Sequence, residues 1–295
     1  MNSRTFLARP LAFALLVSSL ALAQTAAPTR TVIRPVLNMH SSATLDADVV
    51  SQAIYATPVV VLEEKGGWAR IRTPDEYTGW VESAALLAPK SGEVYASGTN
   101  VVQVRSLFAH IYREADVTRH APMLTLPFET KLEMDGENAR KSERWLQVRL
   151  PDGRIGMVQN ADVGPIVAGL AVAETIAVAK SFLGLPYTWG GTSSYGYDCS
   201  GFMQMLMRQR GYLMPRDAGP QAAWGGSVSV EKSQLEPGDL LYFGSSPARI
   251  THTGMYVGDG LFISATTHEK PVVRIDNLND AYWTRLLVAA RRVRQ

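Results

Sequence analysis

The chain has 295 residues but only one cysteine, Cys199. A single thiol cannot form an intramolecular disulfide, so the disulfide framework common in small exported domains is excluded. A lone cysteine is then either a small buried hydrophobic residue or a reactive nucleophile. The sequence also lacks a His/Cys/Asp/Glu cluster with the spacing of metal ligands, and we expect neither a metal nor another cofactor.

Neither sign of charge dominates, since 29 Lys and Arg stand against 27 Asp and Glu. A nucleic-acid partner normally requires a basic excess or a basic stripe, and neither is visible here. We therefore expect no nucleic-acid partner. The hydrophobic content of 46% is ordinary for a globular protein, and the length predicts more than one domain.

Long apolar runs are also scarce, and the main one lies near the amino terminus. Arg4 and Arg9 precede an apolar stretch over residues 11–20, and residues 21–23 supply the small-x-small pattern that signal peptidase accepts. The stretch is shorter than the roughly 20 residues of a transmembrane helix. We predict a signal peptide over residues 1–23, an uncleaved anchor being the alternative. The mature chain is then exported to a periplasm or the exterior, associated with the cell envelope and without a membrane anchor.

An internal repeat accounts for much of the remaining length. The segments 68–81 and 145–158 share Trp, Arg, Pro, Asp, Gly and Val at one offset of 77 residues. Each copy reads as a strand, a Pro-Asp turn and a second short strand. Two copies are too few for a solenoid, so we predict two separate small β-barrels, over residues 30–86 and 96–163. Their pattern resembles bacterial SH3-like domains.

The lone cysteine lies where a helix is predicted to begin. Asp198 is a good N-cap for a helix from Cys199 to about Arg210, with Gly211 as its stop. A thiol in the first helical turn lies near unpaired N–H groups and the positive end of the helix dipole, which stabilise a thiolate. This placement favours a nucleophile over a buried hydrophobic residue. Ahead of it, the apolar stretch 170–183 predicts a buried helix.

A cysteine nucleophile requires a base, and only His252 and His268 follow residue 168. His252 opens a strand that is followed by a Gly-Asp-Gly turn and a second strand, which predicts a hairpin. An isolated strand histidine is more often a surface residue. Together with Cys199, however, it supplies the Cys/His pair that thiol acyl transfer requires.

Four sequence motifs resemble those of a known family. The segments 198–202 (Asp-Cys-Ser-Gly-Phe), 213–216 (Leu-x-Pro-Arg), 235–240 (Leu-x-Pro-Gly-Asp-Leu) and 252–258 (His-x-Gly-x-Tyr-x-Gly) resemble the NlpC family of cell-wall cysteine peptidases. The match extends over residues 168–295. The resemblance implies an α+β fold, with a papain-like domain after the two SH3-like barrels. It also implies cleavage of peptidoglycan stem peptides between γ-D-glutamate and the following diamino acid.

The resemblance assigns the catalytic roles by motif position. Cys199 is the nucleophile and His252 the general base and acid. The third position, usually histidine in the family, is twelve residues after the base and here holds Ser264. A three-residue loop over 258–260 would place Ser264 on the same face as His252, as a diagonal neighbour. His268 can substitute if the end of the strand curls back.

Two SH3-like modules ahead of such a domain resemble the subgroup called dipeptidyl-peptidase VI, whose members recognise a free N-terminal L-Ala-γ-D-Glu unit. In that subgroup Asp198 and Asp217 would face the substrate ammonium, which needs charge pairing when buried. Tyr187 and Ser200 would line the same subsites, and Tyr77, from the first SH3-like module, would close the pocket to longer peptides.

Two further functional classes stay open. One is a peptidoglycan-binding protein whose peptidase domain is catalytically impaired, for which Ser264 is the main support. The other is a cysteine amidase or acyltransferase on the same fold. Asp198 and Asp217 discriminate between the peptidase and this second class, because an ammonium-binding pair implies a substrate with a free amino end. We expect the partner to be peptidoglycan or its muropeptides and the protein to be a monomer.

Overall fold

The structure, a computed structural model, describes residues 29–89, 94–136 and 138–294. The predicted signal peptide lies outside the described residues. In the described part the chain forms strands from residue 29 to residue 164, followed by mixed helices and strands from residue 172 onward. The predicted α+β class is therefore confirmed, while the exact domain limits stay predictions.

The first β unit is a seven-stranded sheet within residues 29–87, in the order β3-β2-β6-β5-β4-β1-β7. Alternate residues of β5 point inwards, so that Ala69 and Ile71 are fully buried with Val81 of β6. The strands are β1 (Thr29–Val32), β2 (Val36–His40), β3 (Val49–Ile54), β4 (Pro58–Lys65), β5 (Trp68–Arg72), β6 (Thr78–Glu82) and β7 (Leu86–Leu87).

The second β unit contains a five-stranded sheet, β13-β12-β11-β8-β14, and the separate hairpin β10-β9. Its strands are β8 (Val101–Val104), β9 (Phe108–Ile111), β10 (Leu124–Pro127), β11 (Lys131–Met134), β12 (Trp145–Arg149), β13 (Ile155–Gln159) and β14 (Val163–Gly164). The sequence repeat is also a structural repeat, because Trp68 pairs with Glu82 and Trp145 with Gln159 in the same hairpin register.

The α+β unit is built on a six-stranded antiparallel sheet in the order β17-β22-β18-β19-β20-β21. Its strands are β15 (Thr192–Ser193), β16 (Gly196–Tyr197), β17 (Ser227–Ser229), β18 (Leu240–Ser246), β19 (Arg249–Gly258), β20 (Leu261–Thr266), β21 (Val272–Asn277) and β22 (Leu287–Val293). Its helices are α1 (Val172–Ser181), α2 (Cys199–Gln209), α3 (Ala218–Ala222) and α4 (Ala281–Leu286). The helix α2 packs on β19 and β20, and α4 packs on β18.

The helix α2 begins where the sequence predicts, because Asp198 accepts a hydrogen bond from the backbone N–H of Gly201 at 2.7 Å. Every residue of α2 except Arg208 is buried. The prediction of a buried helix over 170–183 is wrong, since α1 buries only Thr175 and Ala179. It packs one side against α2, and the rest of its surface stays accessible.

Both β units are fastened to the α+β unit by polar contacts. The Gln52 side chain of the first β unit accepts hydrogen bonds from the N–H of Thr192 at 3.1 Å and the hydroxyl of Ser193 at 3.2 Å. Glu129 of the second β unit forms an ion pair with Arg208 on α2 at 2.7 Å. The helix α2 is therefore covered by the sheet on one side and by the β units on the other.

We predict that Gly201→Ala destabilises the fold. A Cβ at this position would lie 2.2 Å from the backbone oxygen of Gly191, so α2 or the loop before it must shift. Overpacking against backbone typically costs about 1–3 kcal/mol in the free energy of unfolding. Denaturant unfolding of the two proteins measures the difference. Gly219→Ala is the matched control, because no atom lies within 4 Å of its Cβ. An equal effect of both substitutions would contradict the close approach.

Candidate active site

Cys199 lies in the first turn of α2 and is 9% exposed. Burial, with the adjacent charge of Asp198, raises the pKa of its thiol to about 12. Hydrogen bonds from the backbone N–H groups of Thr253 and Ser200 oppose this shift without cancelling it. In the ligand-free protein, loss of solvation thus opposes the thiolate that the N–H groups at the helix start favour.

His252 lies on β19, next to the residue whose N–H reaches the cysteine sulfur. Its Nε2 lies 3.1 Å from the Oγ of Ser264. The other ring nitrogen, Nδ1, has no hydrogen-bond partner among the residues that the structure describes. The imidazole thus has one nitrogen engaged by a hydroxyl and one without a hydrogen-bond partner in the described chain, while the backbone of the next residue, Thr253, reaches Cys199.

The hairpin register explains why Ser264 reaches the imidazole. Met255 pairs with Ile263, which sets Gly254 opposite Ser264, as a three-residue loop would do. The observed connection is instead a two-residue turn combined with a bulge at Val257. The bulge adds the residue that the shorter loop removes, so Ser264 stays on the face of His252.

Aromatic rings enclose the imidazole of His252. The ring of Trp283 stacks on it at a centroid distance of 5.2 Å, and Phe243 lies at 5.5 Å. Burial in this enclosure, and then the nearby His268, lower the pKa of His252 to about 3. The ligand-free site therefore holds a neutral thiol and a neutral imidazole.

His268 does not occupy the third position of the site. Its ring stacks on Tyr282 at 3.8 Å, and its Nε2 lies 3.9 Å from Glu269. It influences His252 only through charge. The structure thus brings Ser264, and not His268, into contact with His252.

Asp198 and Ser200 belong to a buried polar cluster around Arg216. The guanidinium of Arg216 forms a bidentate pair with Asp198, at 2.6 Å and 3.1 Å, and donates to Ser200 Oγ at 2.9 Å. Its Nε donates to the hydroxyl of Ser51 in the first β unit at 3.2 Å. Sequence reasoning assigned Arg216 no role, although an arginine beside a proposed buried carboxylate indicates such a pair.

Tyr77 and Asp217 meet across the boundary between two units. The phenol of Tyr77 donates a hydrogen bond to Asp217 Oδ2 at 3.2 Å. Burial, and then Asp217, raise the pKa of Tyr77 to about 12. Asp217 precedes α3 but makes no side-chain cap, and both residues line a cavity of about 370 Å³ together with Arg216 and Trp224. We refer to this place as the amino-end subsite.

Tyr187 completes the predicted set. It is half-buried, and the charges of Cys199 and Asp198, after burial itself, raise the pKa of its phenol. All eight predicted residues therefore fall into three adjoining groups. These are the catalytic group (Cys199, His252, Ser264), the buried cluster with Tyr187 (Asp198, Ser200, Tyr187) and the amino-end subsite (Tyr77, Asp217).

The described part of the chain contains no group of three or more His, Cys, Asp or Glu side chains able to hold a metal ion. Across the same ranges, no helix has the length and apolar character needed to cross a membrane.

A cysteine at a helix start, facing a histidine on an antiparallel sheet with a polar partner, defines a papain-like cysteine hydrolase. Comparison with known proteins gives the family. The NlpC/P60 family matches residues 184–292, and the bacterial SH3 domain matches residues 35–87. A γ-D-glutamyl-L-lysine dipeptidyl-peptidase of Bacillus cereus is 31% identical over 263 residues, covering 82% of this chain and 74% of that protein. The Bacillus subtilis protein of the same name is 30% identical over 258 residues, covering 84% of this chain and 82% of that protein.

The chain belongs to the NlpC/P60 family. A crystal structure of an NlpC/P60 family protein from Bacillus cereus has a TM-score of 0.76 at 25% identity, and the match covers 90% of this chain and 99% of that one. The resemblance drawn from the four motifs is therefore confirmed. The predicted fold is also confirmed, with a bacterial SH3-like β domain ahead of a papain-like unit. The predicted class of enzyme, a cysteine peptidase, is confirmed as well.

We expect the protonation of His252 to be visible in folding stability. Between a pH of about 6.5, the ordinary pKa of histidine, and about 3, the unfolded chain binds a proton that the folded chain does not. Stability is therefore lost as the pH falls through this window. Relative to a His252→Gln variant, the free energy of unfolding should fall by up to about 1.4 kcal/mol per pH unit. Denaturant unfolding at several pH values measures it, and a difference independent of pH would contradict a neutral, buried imidazole.

We also expect the Cys199 thiol to react slowly with iodoacetamide in the absence of substrate. Because its pKa is raised to about 12, the thiolate is scarce near neutral pH, and the alkylation rate should keep rising through alkaline pH. Mass spectrometry of the alkylated protein follows this rate, and the same thiol in denatured protein is the control. A plateau below a pH of about 8 in the folded protein would show an activated thiolate instead.

Proposed function

We propose that the enzyme hydrolyses the bond between γ-D-glutamate and the following diamino acid in peptidoglycan stem peptides that begin with a free L-alanine. It then releases the dipeptide L-Ala-γ-D-Glu during turnover or recycling of the cell wall. The names of the relatives support the γ-D-glutamyl bond. The preference for a free amino end is supported by the site itself.

The observation that carries the proposal is the contact between Tyr77 and Asp217. The carboxylate of Asp198 is already neutralised by Arg216, so Asp217 is the acid left to receive an ammonium. Asp217 is exposed, and in the described chain its carboxylate accepts one hydrogen bond, from the Tyr77 phenol. A substrate that extends beyond its first amino group would run into Tyr77, whereas a free amino end fits beside the carboxylate.

The chemistry then follows from the two neutral groups. As the sulfur of Cys199 attacks the γ-glutamyl carbonyl carbon, its proton passes to Nδ1 of His252. Backbone N–H groups at residues 199–200 stabilise the resulting oxyanion. The imidazolium gives the proton to the leaving amine of the diamino acid, the C–N bond breaks, and a thioester with the dipeptide remains. Water, deprotonated by His252, cleaves the thioester and restores the thiol.

Ser264 orients the base in this scheme. When Nε2–H donates to the Ser264 hydroxyl, the lone pair of Nδ1 is left free to accept the thiol proton. A serine carries no charge to stabilise the imidazolium, so its contribution is orientation. The contact of 3.1 Å removes the main argument for an impaired peptidase, and no observation favours an amidase or acyltransferase.

The remaining parts of the proposal come from the sequence. We propose that residues 1–23 direct export, that the mature chain acts on muropeptides at the cell envelope as a monomer, and that residues 30–86, 96–163 and 168–295 form its three domains. The described helices do not contradict an envelope protein without a membrane span. A free amino end is absent from intact wall, which favours released peptides as substrates.

We expect the purified protein to release L-Ala-γ-D-Glu from an L-Ala-γ-D-Glu-diamino acid tripeptide. Its N-acetylated twin should be cleaved about 100-fold less efficiently, because it loses the charge pair with Asp217. Mass spectrometry of the products measures both rates, and Cys199→Ala should abolish both.

Asp217→Asn provides the test of the subsite. It should raise KM for the free tripeptide and leave the slow rate on the acetylated twin nearly unchanged, since that peptide has no ammonium. Equal cleavage of both peptides by the wild-type protein would refute the free-amine preference. Cleavage of neither would refute the peptidase assignment to these substrates.

A further inference from the structure

The turn that carries Tyr77 is fastened to the nucleophile helix by one buried side chain, Gln204. This glutamine is on α2 and is 2% exposed. Its Nε2 donates to Asp75 Oδ2 at 2.9 Å and to the carbonyl oxygen of Met214 at 3.0 Å. Its Oε1 accepts from Arg208 at 3.1 Å. Both N–H donors of the amide are thus used, its oxygen accepts one bond, and each of these contacts is directional.

The two acceptors of this amide lie in the two segments that form the amino-end subsite. Asp75 is two residues before Tyr77 in the first β unit, and Met214 is three residues before Asp217 in the α+β unit. One NH₂ group therefore binds both sides of the Tyr77–Asp217 contact. Its position determines how far apart the two segments stand.

The corresponding turn of the second β unit has different bonding partners. At the offset of 77 residues, Asp152 is the counterpart of Asp75 and Arg154 the counterpart of Tyr77. There the Asp152 carboxylate accepts hydrogen bonds from Arg154 in its own turn, from the N–H at 3.0 Å and from Nε at 2.7 Å. In the first unit the aspartate also bonds within its turn, through Thr73, but its other oxygen reaches α2.

The first turn is also held in a less favourable backbone conformation. Glu76 has a φ of 65°, in the left-handed region, where the second unit has Gly153 with a φ of 88°. A non-glycine residue in this region persists when its surroundings hold it in place. Here the support is not close packing, because a cavity of about 240 Å³ is lined by both Asp75 and Gln204. Hydrogen bonds supply it instead: the Thr73 hydroxyl binds Asp75 and the Tyr77 carbonyl within the turn, and Gln204 binds Asp75 from outside it.

We propose that Gln204 is a positioning residue for the amino-end subsite. By holding Asp75 and the Met214 carbonyl, it keeps the Tyr77 phenol against Asp217 and so sets the discrimination between free and acylated amino ends. This inference rests on the proposed function, because it concerns the specificity of the same reaction. Gln204 does not touch the substrate, and its effect passes through the two segments it joins.

We expect Gln204→Met, which keeps the side-chain volume, to raise KM for the free tripeptide about tenfold with kcat changed by less than about twofold. The preference for the free over the acetylated peptide should fall by about the same factor. Asp75→Ala should have the same effect. Asp75→Asn retains an oxygen to accept from Gln204 and an NH₂ group to donate to Thr73, so it should behave as the wild type.

Gln209→Met is the matched control. Gln209 is also 2% exposed on α2, but its amide bonds to Glu129 and Arg105 of the second β unit, which carries no part of the subsite. It should lower thermal stability to a similar extent and leave KM and the peptide preference unchanged. An unchanged KM in Gln204→Met, or an equal rise in both variants, would overturn the inference while leaving the proposed function intact.

Hydrogen exchange provides a test that does not depend on activity. The amide of Thr73 donates to the Tyr77 carbonyl at 3.0 Å and the amide of Glu76 to the Thr73 carbonyl at 2.9 Å, so both report on the turn. Their exchange should be about tenfold faster in Gln204→Met than in Gln209→Met. Equal exchange in the two variants would overturn the tether, whatever the activity of the protein. Cleavage of neither peptide by the wild-type protein would by itself refute only the proposed function.

Discussion

The buried pair between Arg216 and Asp198 is the interaction on which the rest of the site depends. Asp198 caps the helix that starts with Cys199, and Arg216 neutralises that cap while binding Ser200 and the Ser51 hydroxyl of the first β unit. Two charges removed from water need hydrogen-bonded partners, and here each guanidinium nitrogen of Arg216 and both carboxylate oxygens of Asp198 have one. One ion pair thus fixes the start of the nucleophile helix and the docking of the neighbouring unit.

The same burial has a chemical cost for the nucleophile. Cys199 is next to a carboxylate in a dry environment, and His252 is enclosed by Trp283 and Phe243, so both groups are neutral in the ligand-free state. A preformed thiolate–imidazolium pair is thereby disfavoured. Proton transfer is then coupled to attack on the carbonyl, when charge develops where the backbone N–H groups can stabilise it.

Local patterns were sufficient to predict the parts of this site that depend on short segments. The start of α2 followed from Asp198 as a cap, and the pairing of Gly254 with Ser264 followed from alternation along a hairpin, although the bulge at Val257 was not foreseen. The 77-residue repeat likewise predicted two hairpins with the same register. The site residues were found through motifs that resemble a family, and their proximity agrees with that resemblance.

What the sequence did not reveal depends on how separate segments pack. The pKa of Cys199 is set by burial under β19, which no local pattern reports. One partner of Arg216 and one of Gln204, the residues Ser51 and Asp75, belong to the first β unit, more than a hundred residues away along the chain. The apolar composition of residues 170–183 predicted a buried helix. In the structure α1 buries only Thr175 and Ala179, because packing and not composition determines which side is covered.

The division of the amino-end subsite between two units has a consequence for how substrate specificity can evolve. In the proposed function, catalytic chemistry resides in the α+β unit, whereas Tyr77, the proposed limit on substrate length, belongs to a module with its own sheet and core. Under that proposal, substrate length and bond cleavage can change independently, by divergence of one short turn in an accessory module. The accessory module would then determine which peptides are cleaved, and the α+β unit which bond is broken.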